Sequence, residues 1–261
     1  IIGRFVRLRE ACIPSKMKKI VVCIILFLLK RTKVACQTSI FYAYYDHKKG
    51  KEETMFYRFM RGVVRVLLAL VNGNARYENK EVLPQDENYI LVAPHRTWWD
   101  PLYLAVAAAP KEFSFMAKEE LFKNPVLRFI LTRSNAFPVK RENPGPSVIK
   151  TPVKILKSTN LSLIMFPSGT RHATELKGGM ALISRMSKAK IVPAVYQGPL
   201  TLGDLFKRQR VTVRFGEPID LSDIKKTDKE GMAEIERRTQ AAFDKLDKEV
   251  NPDFKYEVKK K

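Results

Sequence analysis

Cysteine is scarce in this chain. The 261 residues contain three, Cys12, Cys23 and Cys36, and none follows Cys36. An odd number with no zinc or thioredoxin-type spacing argues against a disulfide framework and against a Cys-based metal site. A chain of this length folds without staples, so the thiols read as incidental and the compartment as reducing. Histidine is equally scarce, at three residues, so any histidine placed in a promising context carries weight. Long apolar runs are missing as well. The longest stretch near the start, Ile20–Leu29, has ten residues, about half of the ~20 that a spanning helix needs. Acidic residues are under-represented: 27 Asp+Glu stand against 48 Lys+Arg, a net charge of +21. Hydrophobic residues at 45% exclude a disordered polymer. The charge calls for an anionic partner, whether nucleic acid, membrane surface or phosphorylated small molecule. No helix-turn-helix, RNP, KH or zinc-finger pattern is apparent, and the basic residues are spread along the chain, which disfavours nucleic acid.

The first 54 residues hold 12 Lys+Arg and 4 Asp+Glu, a net +8 that leaves +13 for the remainder. Lys18-Lys19 before Ile20–Leu29 has the shape of a signal sequence, yet no small-x-small cleavage site follows. Residues 1–54 therefore read as a basic extension with three alternatives: a membrane-dipping anchor, a signal-like segment, or residues foreign to the mature protein. Met55 is itself a candidate start. Residues 55–71 have helical periodicity, with Arg58, Arg61 and Arg65 on one face and apolar residues over most of the rest. This suits the headgroup boundary of an anionic bilayer and equally suits packing on a core. Asn72-Gly73 predicts its end.

From there strands and helices alternate. Short apolar strands are expected at 89–93, 113–116, 135–139, 161–166, 191–196 and 211–215. Helices are expected at 101–109, 119–131, 147–158, 178–187 and 223–250. This order predicts an α/β fold with a central mixed, largely parallel sheet flanked by helices. The domain reading is an extension 1–54, an amphipathic membrane-interface helix 55–74 and a catalytic-type domain 75–261.

Three strand ends carry chemistry. The first is Pro94-His95-Arg96-Thr97-Trp98-Trp99-Asp100-Pro101, following the strand at 89–93. His95 is placed to take a proton from a hydroxyl, with Asp100 fixing its tautomer and steadying the imidazolium. Asp100 before Pro101 also suits a plain helix cap, and His95 an ordinary loop histidine. The second is Phe166-Pro167-Ser168-Gly169-Thr170-Arg171-His172, a loop that lets backbone approach a ligand, with a forked donor suited to phosphate. Ser168 lacks the G-x-S-x-G elbow of a serine nucleophile. The third is Phe137-Pro138-Val139-Lys140-Arg141. Ligands of such sheets bind outside the carboxyl ends of the strands, where one base and two cations converge.

Taken together, these blocks resemble the glycerolipid acyltransferase superfamily, and within it the 1-acylglycerol-3-phosphate acyltransferases. His95 to Asp100 looks like the family's H-x4-D motif. Lys118-Glu119-Glu120-Leu121 with Asn135 to Arg141 resembles the second block, and Phe166 to Arg171 the Phe-Pro-Glu-Gly-Thr-Arg block. Ile191-Val192-Pro193-Ala194 and Gly216-Glu217-Pro218-Ile219 resemble the last two. The departure is Ser168 where the family has Glu, and His172 where Ser is commoner. The resemblance implies His95 and Asp100 as the catalytic pair. It implies Arg171, Arg141 and Lys118 as phosphate holders, and Pro167, Ser168, Gly169 and Thr170 as the substrate loop. It also implies lysophosphatidic acid as acceptor, an acyl-carrier-protein or coenzyme A thioester as co-substrate, and no bound cofactor or metal. Backbone donors at 95–98 or 168–170 would hold the oxyanion. The implied location is the cytoplasmic face of the cell membrane, peripheral or monotopic, with Arg58, Arg61 and Arg65 at an anionic surface. Within the same superfamily, glycerol-3-phosphate or another lysophospholipid is the alternative acceptor.

Overall fold

The computed structural model describes residues 55–140, 145–171, 175–224, 228–254 and 256. The readings made for residues 1–54, and for Arg141 and His172, lie outside them. The first element, helix α1, spans residues 55–71. It ends at Gly73, whose φ of +67° is open to glycine, whereas a Cβ there would lie 2.8 Å from the Ala69 carbonyl oxygen. The Gly73 N–H closes the turn on the Leu68 carbonyl at 3.1 Å. The buried Asn72 amide then donates to the carbonyls of Leu205 and Gln209 at 3.1 and 2.9 Å, fastening the helix end to the domain.

The domain follows as β1 (Ala75–Glu78), a 3-10 turn (Lys80–Val82), β2 (Tyr89–Val92), α2 (Asp100–Ala107), β3 (Phe113–Lys118) and a second 3-10 turn (Glu119–Phe122). Next come α3 (Pro125–Arg133), β4 (Ala136–Val139), α4 (Ser147–Ser158), β5 (Ser162–Met165), α5 (Gly179–Ser187) and β6 (Lys190–Gln197). The last elements are α6 (Leu202–Phe206), β7 (Val211–Phe215) and α7 (Lys229–Val250). Among the described residues the sheet has seven strands in the order β1-β7-β6-β2-β5-β3-β4. Its one antiparallel pairing is β6 with β7, so β2, β3, β4, β5 and β6 share one direction and one carboxyl edge.

β2 sits at the centre and is buried along its whole length, as expected of a strand covered on both faces. Its side chains alternate between two cores. Tyr89 and Leu91 join Tyr103, Leu104, Phe113, Tyr196 and Phe215 on one face, with Leu68 and Val71 of α1 packed against them. Ile90 and Val92 join Leu156, Leu163, Met180, Ile183 and Phe243 on the other. Thr239 interrupts the apolar side of α7 without penalty, because its buried hydroxyl donates to the Ile235 carbonyl at 2.7 Å.

Local chemistry moved two expected boundaries. The helix expected over 119–131 is split, because Asn124 caps a fresh helix by accepting from the Val126 and Leu127 N–H groups, with Pro125 at its first position. The last helix starts at Lys229, where Asp228 accepts from the Gly231 N–H at 2.9 Å. β1 and α6 were not anticipated: the first is a four-residue half-buried edge strand, the second a five-residue helix.

α1 packs on the domain through Tyr57, Leu68 and Val71, and its basic stripe flanks that contact. Arg58 Nε pairs with Glu112 at 2.6 Å, and Arg61 donates to the carbonyls of Pro110 and Lys111 at 3.2 and 2.7 Å. These contacts tether the helix to the 110–112 turn while leaving the Arg58 side chain 66% exposed. Arg65 is exposed. The outer side of α1 is apolar, with Met55, Phe59, Val66 and Leu70 each more than half exposed. No helix of the described residues is long and apolar enough to cross a membrane.

The Tyr89 hydroxyl is fully buried and has no hydrogen-bond partner among the described residues. Tyr89→Phe should therefore raise stability by about 1 kcal/mol in urea unfolding at neutral pH. Burial, aided by Tyr57, pushes the Tyr89 phenol well above its ordinary value of 10.0. The folded state thus holds the neutral phenol while the unfolded chain ionises. Stability is undiminished below pH 10 and falls above it, and Tyr89→Phe should soften that alkaline loss.

Candidate active site

The carboxyl edge of the sheet brings the expected blocks together. β2 and β5 are neighbours in parallel register, Val92 opposite Met165, so the loops that leave them start side by side. The His95 ring stacks on Phe166, with centroids 4.2 Å apart and planes at 24°. His95 Nδ1 lies 3.2 Å from Asp100 Oδ2. A nitrogen facing a carboxylate carries the proton, which leaves Nε2 with its lone pair toward the site mouth.

Asp100 does more than either sequence reading required. It is the first residue of α2 and not the residue before it, and its carboxylate is fully buried and turned back into the loop. Oδ2 accepts the N–H groups of Arg96 and Thr97 at 2.6 and 2.8 Å, and Oδ1 accepts the Thr97 hydroxyl. The loop closes around its own carboxylate, so orienting His95 and shaping the turn are one function. The Arg96 and Thr97 N–H groups are thereby engaged, and the Gly169 N–H is bonded to the Phe166 carbonyl at 2.9 Å. Oxyanion donors on these two turns must be other groups.

The 167–171 loop is built for close approach. Gly169 has φ +70°, a left-handed conformation that glycine adopts without strain. Ser168 is buried and its hydroxyl donates to the Thr170 carbonyl at 2.8 Å, so it fastens the turn and faces no base. The Lys177 N–H donates to the Pro167 carbonyl at 3.1 Å, and the Lys177 ammonium lies 3.8 Å from where a Gly169 Cβ would be. Lys177 is a cation of the loop that the sequence reading missed. It falls outside the motif and is brought back by the chain reversal before α5.

Among the described residues no carboxylate pairs with Arg171, which is exposed at the loop's end. Lys118, at the end of β3, is two strands from β2, roughly 10 Å along the sheet. Its ammonium pairs with Glu120 at 3.2 Å, which places it on the outer rim of the mouth with its charge compensated. A cavity of about 360 Å3 opens beside His95, walled by Pro167 and Ser168 on one side and by Phe243, Asp247 and Phe254 on the other. Burial and the Asp100 carboxylate raise the Tyr256 phenol above its ordinary value, while Arg96 and Arg171 oppose them, so Tyr256 senses all three groups.

A half-buried His95 paired with the buried Asp100 thus stands on the carboxyl edge of an α/β sheet, next to a glycine loop with cations. The Acyltransferase family model matches residues 74–197, which contain both motifs. A 1-acyl-sn-glycerol-3-phosphate acyltransferase of Streptococcus pneumoniae is 53% identical over 209 residues, 79% of each chain. One of Bacillus subtilis is 43% identical over 169 residues, 64% of this chain and 84% of that one. The crystal structure of the 1-acyl-sn-glycerophosphate acyltransferase PlsC of Thermotoga maritima superposes with a TM-score of 0.61 at 16% identity, covering 92% of this chain and 99% of that one. The chain belongs to the 1-acyl-sn-glycerol-3-phosphate acyltransferase family.

Proposed function

We propose that the enzyme transfers a fatty acyl group from an acyl thioester, of acyl-carrier protein or of coenzyme A, to the sn-2 hydroxyl of 1-acylglycerol-3-phosphate, giving phosphatidic acid. The observation that carries this reading is the buried Asp100 carboxylate holding His95 by Nδ1 beside the Arg171 loop. Nε2 takes the hydroxyl proton as the oxygen attacks the thioester carbonyl, and the Asp100 charge compensates the imidazolium that forms. Collapse of the tetrahedral intermediate breaks the C–S bond, and the imidazolium returns its proton to the departing thiolate. Arg171, with Lys177 close by on the same loop, holds the acceptor phosphate. Arg141 remains assigned to that task from the motif, and Lys118 contributes at the rim.

The acceptor enters from a bilayer. What supports this is the exposed apolar stripe Met55, Phe59, Val66 and Leu70, spaced to share one side of α1. Peripheral association at the cytoplasmic face is part of the same proposal, and that stripe together with the net charge of +21 supports the association.

The test is an assay of purified enzyme on anionic vesicles with lysophosphatidate, glycerol-3-phosphate and lysophosphatidylcholine, each with both thioesters. Lysophosphatidate should turn over fastest. Arg171→Ala should raise its KM by about 10- to 100-fold, with a smaller change in kcat. Equal rates on lysophosphatidylcholine would overturn the phosphomonoester assignment, and preference for glycerol-3-phosphate would move the enzyme to the alternative acceptor.

A further inference from the structure

Arg96, the residue after His95, has a partner far away in sequence. The Arg96 side chain is 4% exposed, an expensive place for a charge, and it is paired through its two terminal nitrogens while its buried Nε has no hydrogen-bond partner among the described residues. Its Nη1 donates to the Tyr196 carbonyl at 2.6 Å and to Asp247 Oδ1 at 3.0 Å, while Nη2 donates to Asp247 Oδ2. Asp247 lies in the last turn of α7, well beyond the matched span 74–197. Gln197, the last residue of β6, holds the same aspartate by donating to its carbonyl and to Oδ1 at 2.8 and 2.9 Å. Past the end of α7 the chain folds back over the guanidinium. Phe254 and Tyr256 place their rings 4.7 and 5.5 Å from Arg96 Cζ. The Tyr256 hydroxyl reaches the carbonyls of Arg96 at 3.5 Å and Arg171 at 3.4 Å.

We propose that Arg96 and Asp247 form a clamp that positions His95, with Phe254 and Tyr256 as its outer wall. The clamp fixes the residue that directly follows His95 and opens the carboxylate-bonded turn. The Arg96 N–H is bound by Asp100 and its side chain by Asp247, so the loop is held from both ends of a single residue. The Arg96 Nη atoms and the Asp247 carboxylate are bonded to each other, so both serve as positioning residues, acting through His95. The clamp also makes α7 and the segment after it part of the active site, although both lie outside the acyltransferase motifs. Ring stacking and a bidentate fork need arginine, so lysine at position 96 would restore the charge and lose the geometry.

This inference rests on the reading of His95 as the base, so its test pairs turnover with a readout that needs none. Asp247→Asn, Arg96→Lys and the double variant Arg96→Gln/Asp247→Asn are compared with a control on the exposed side of α7, Lys245→Ala. Measured for each are kcat and KM on lysophosphatidate vesicles, the thermal midpoint, and the imidazole nitrogen resonances of His95, assigned by their loss in His95→Ala. Asp247→Asn should lower kcat by about 10- to 100-fold, with KM changed by less than about threefold. It should also shift the His95 resonances, while Lys245→Ala does neither. Arg96→Lys should fall between, and the double variant should be no worse than the weaker single variant, because both break one device. A folded Asp247→Asn with unchanged kcat and unchanged His95 resonances overturns the clamp. So do losses that add in the double variant, or losses that follow the thermal midpoint while the resonances stay fixed. If Asp247→Asn does not fold, Arg96→Lys gives the same decision. If the unsubstituted enzyme turns over no acceptor, the acyl-transfer reading fails, and the resonances still decide the clamp.

Discussion

His95→Ala should reduce kcat by about 10^3-fold or more, leaving KM for lysophosphatidate nearly unchanged. General-base catalysis by a positioned histidine supplies about 10^2- to 10^4-fold, equal to roughly 3–5 kcal/mol of transition-state stabilisation. On the proposed mechanism the effect belongs to kcat, because Nε2 would meet the hydroxyl proton as the bond forms, whereas ground-state hold on the acceptor would come from the Arg171 loop. The fold should survive. The imidazole lines the cavity, its ring stacks on Phe166, and among the described residues its side-chain hydrogen bond is the one to Asp100. Steady-state kinetics on vesicles, with a thermal midpoint as control and vesicle flotation as a second readout, check the result. Retained flotation with turnover abolished is the expected pair. A variant that still transfers acyl groups at a comparable rate would remove His95 from the role of base.

The fold was legible where burial is complete. Tyr89–Val92 reads as an unbroken apolar run because helices cover both sides of β2, and the parallel sheet follows from the alternation of such runs with helical stretches. Legibility failed where the structure is set by local polar chemistry or by distant contacts. The break at Asn124 depends on one side-chain amide bonding two N–H groups, which a hydrophobic period cannot show. β1 is half-buried at a sheet edge, so its pattern is weak, and its place depends on pairing with β7 more than a hundred residues later. The arginines of α1 share a face as the periodicity said, yet the period does not show that Glu112 and the 110–111 carbonyls tether two of them. The site divides in the same way. His95, Asp100 and Arg171 stand out because they follow buried strands directly. Lys177, Asp247, Phe254 and Tyr256 do not, because chain reversals and the return of α7 bring them in from outside every motif.

Asp100→Asn separates catalysis from folding at this site and should affect the two unequally. With the amide oxygen in place of Oδ2, asparagine can still accept the N–H groups of Arg96 and Thr97 and face His95 Nδ1. Its amide nitrogen then donates to the Thr97 hydroxyl, which can act as acceptor. The loop therefore keeps its shape, and stability should fall by only about 1–2 kcal/mol, the cost of turning charge-assisted bonds into neutral ones. The imidazolium that forms during transfer, however, loses its counter-charge, and kcat should drop by about 10^2- to 10^4-fold. Asp100→Ala is the contrast. It leaves the buried Arg96 and Thr97 N–H groups without their acceptor, so it should cost about 3 kcal/mol or more in addition to the activity. Urea unfolding set beside kcat for the two variants makes the comparison. A large gap between them in stability with a similar loss of turnover is the outcome expected of a carboxylate that both builds the loop and serves the base. Near-normal turnover in Asp100→Asn would reduce Asp100 to the turn-forming role alone.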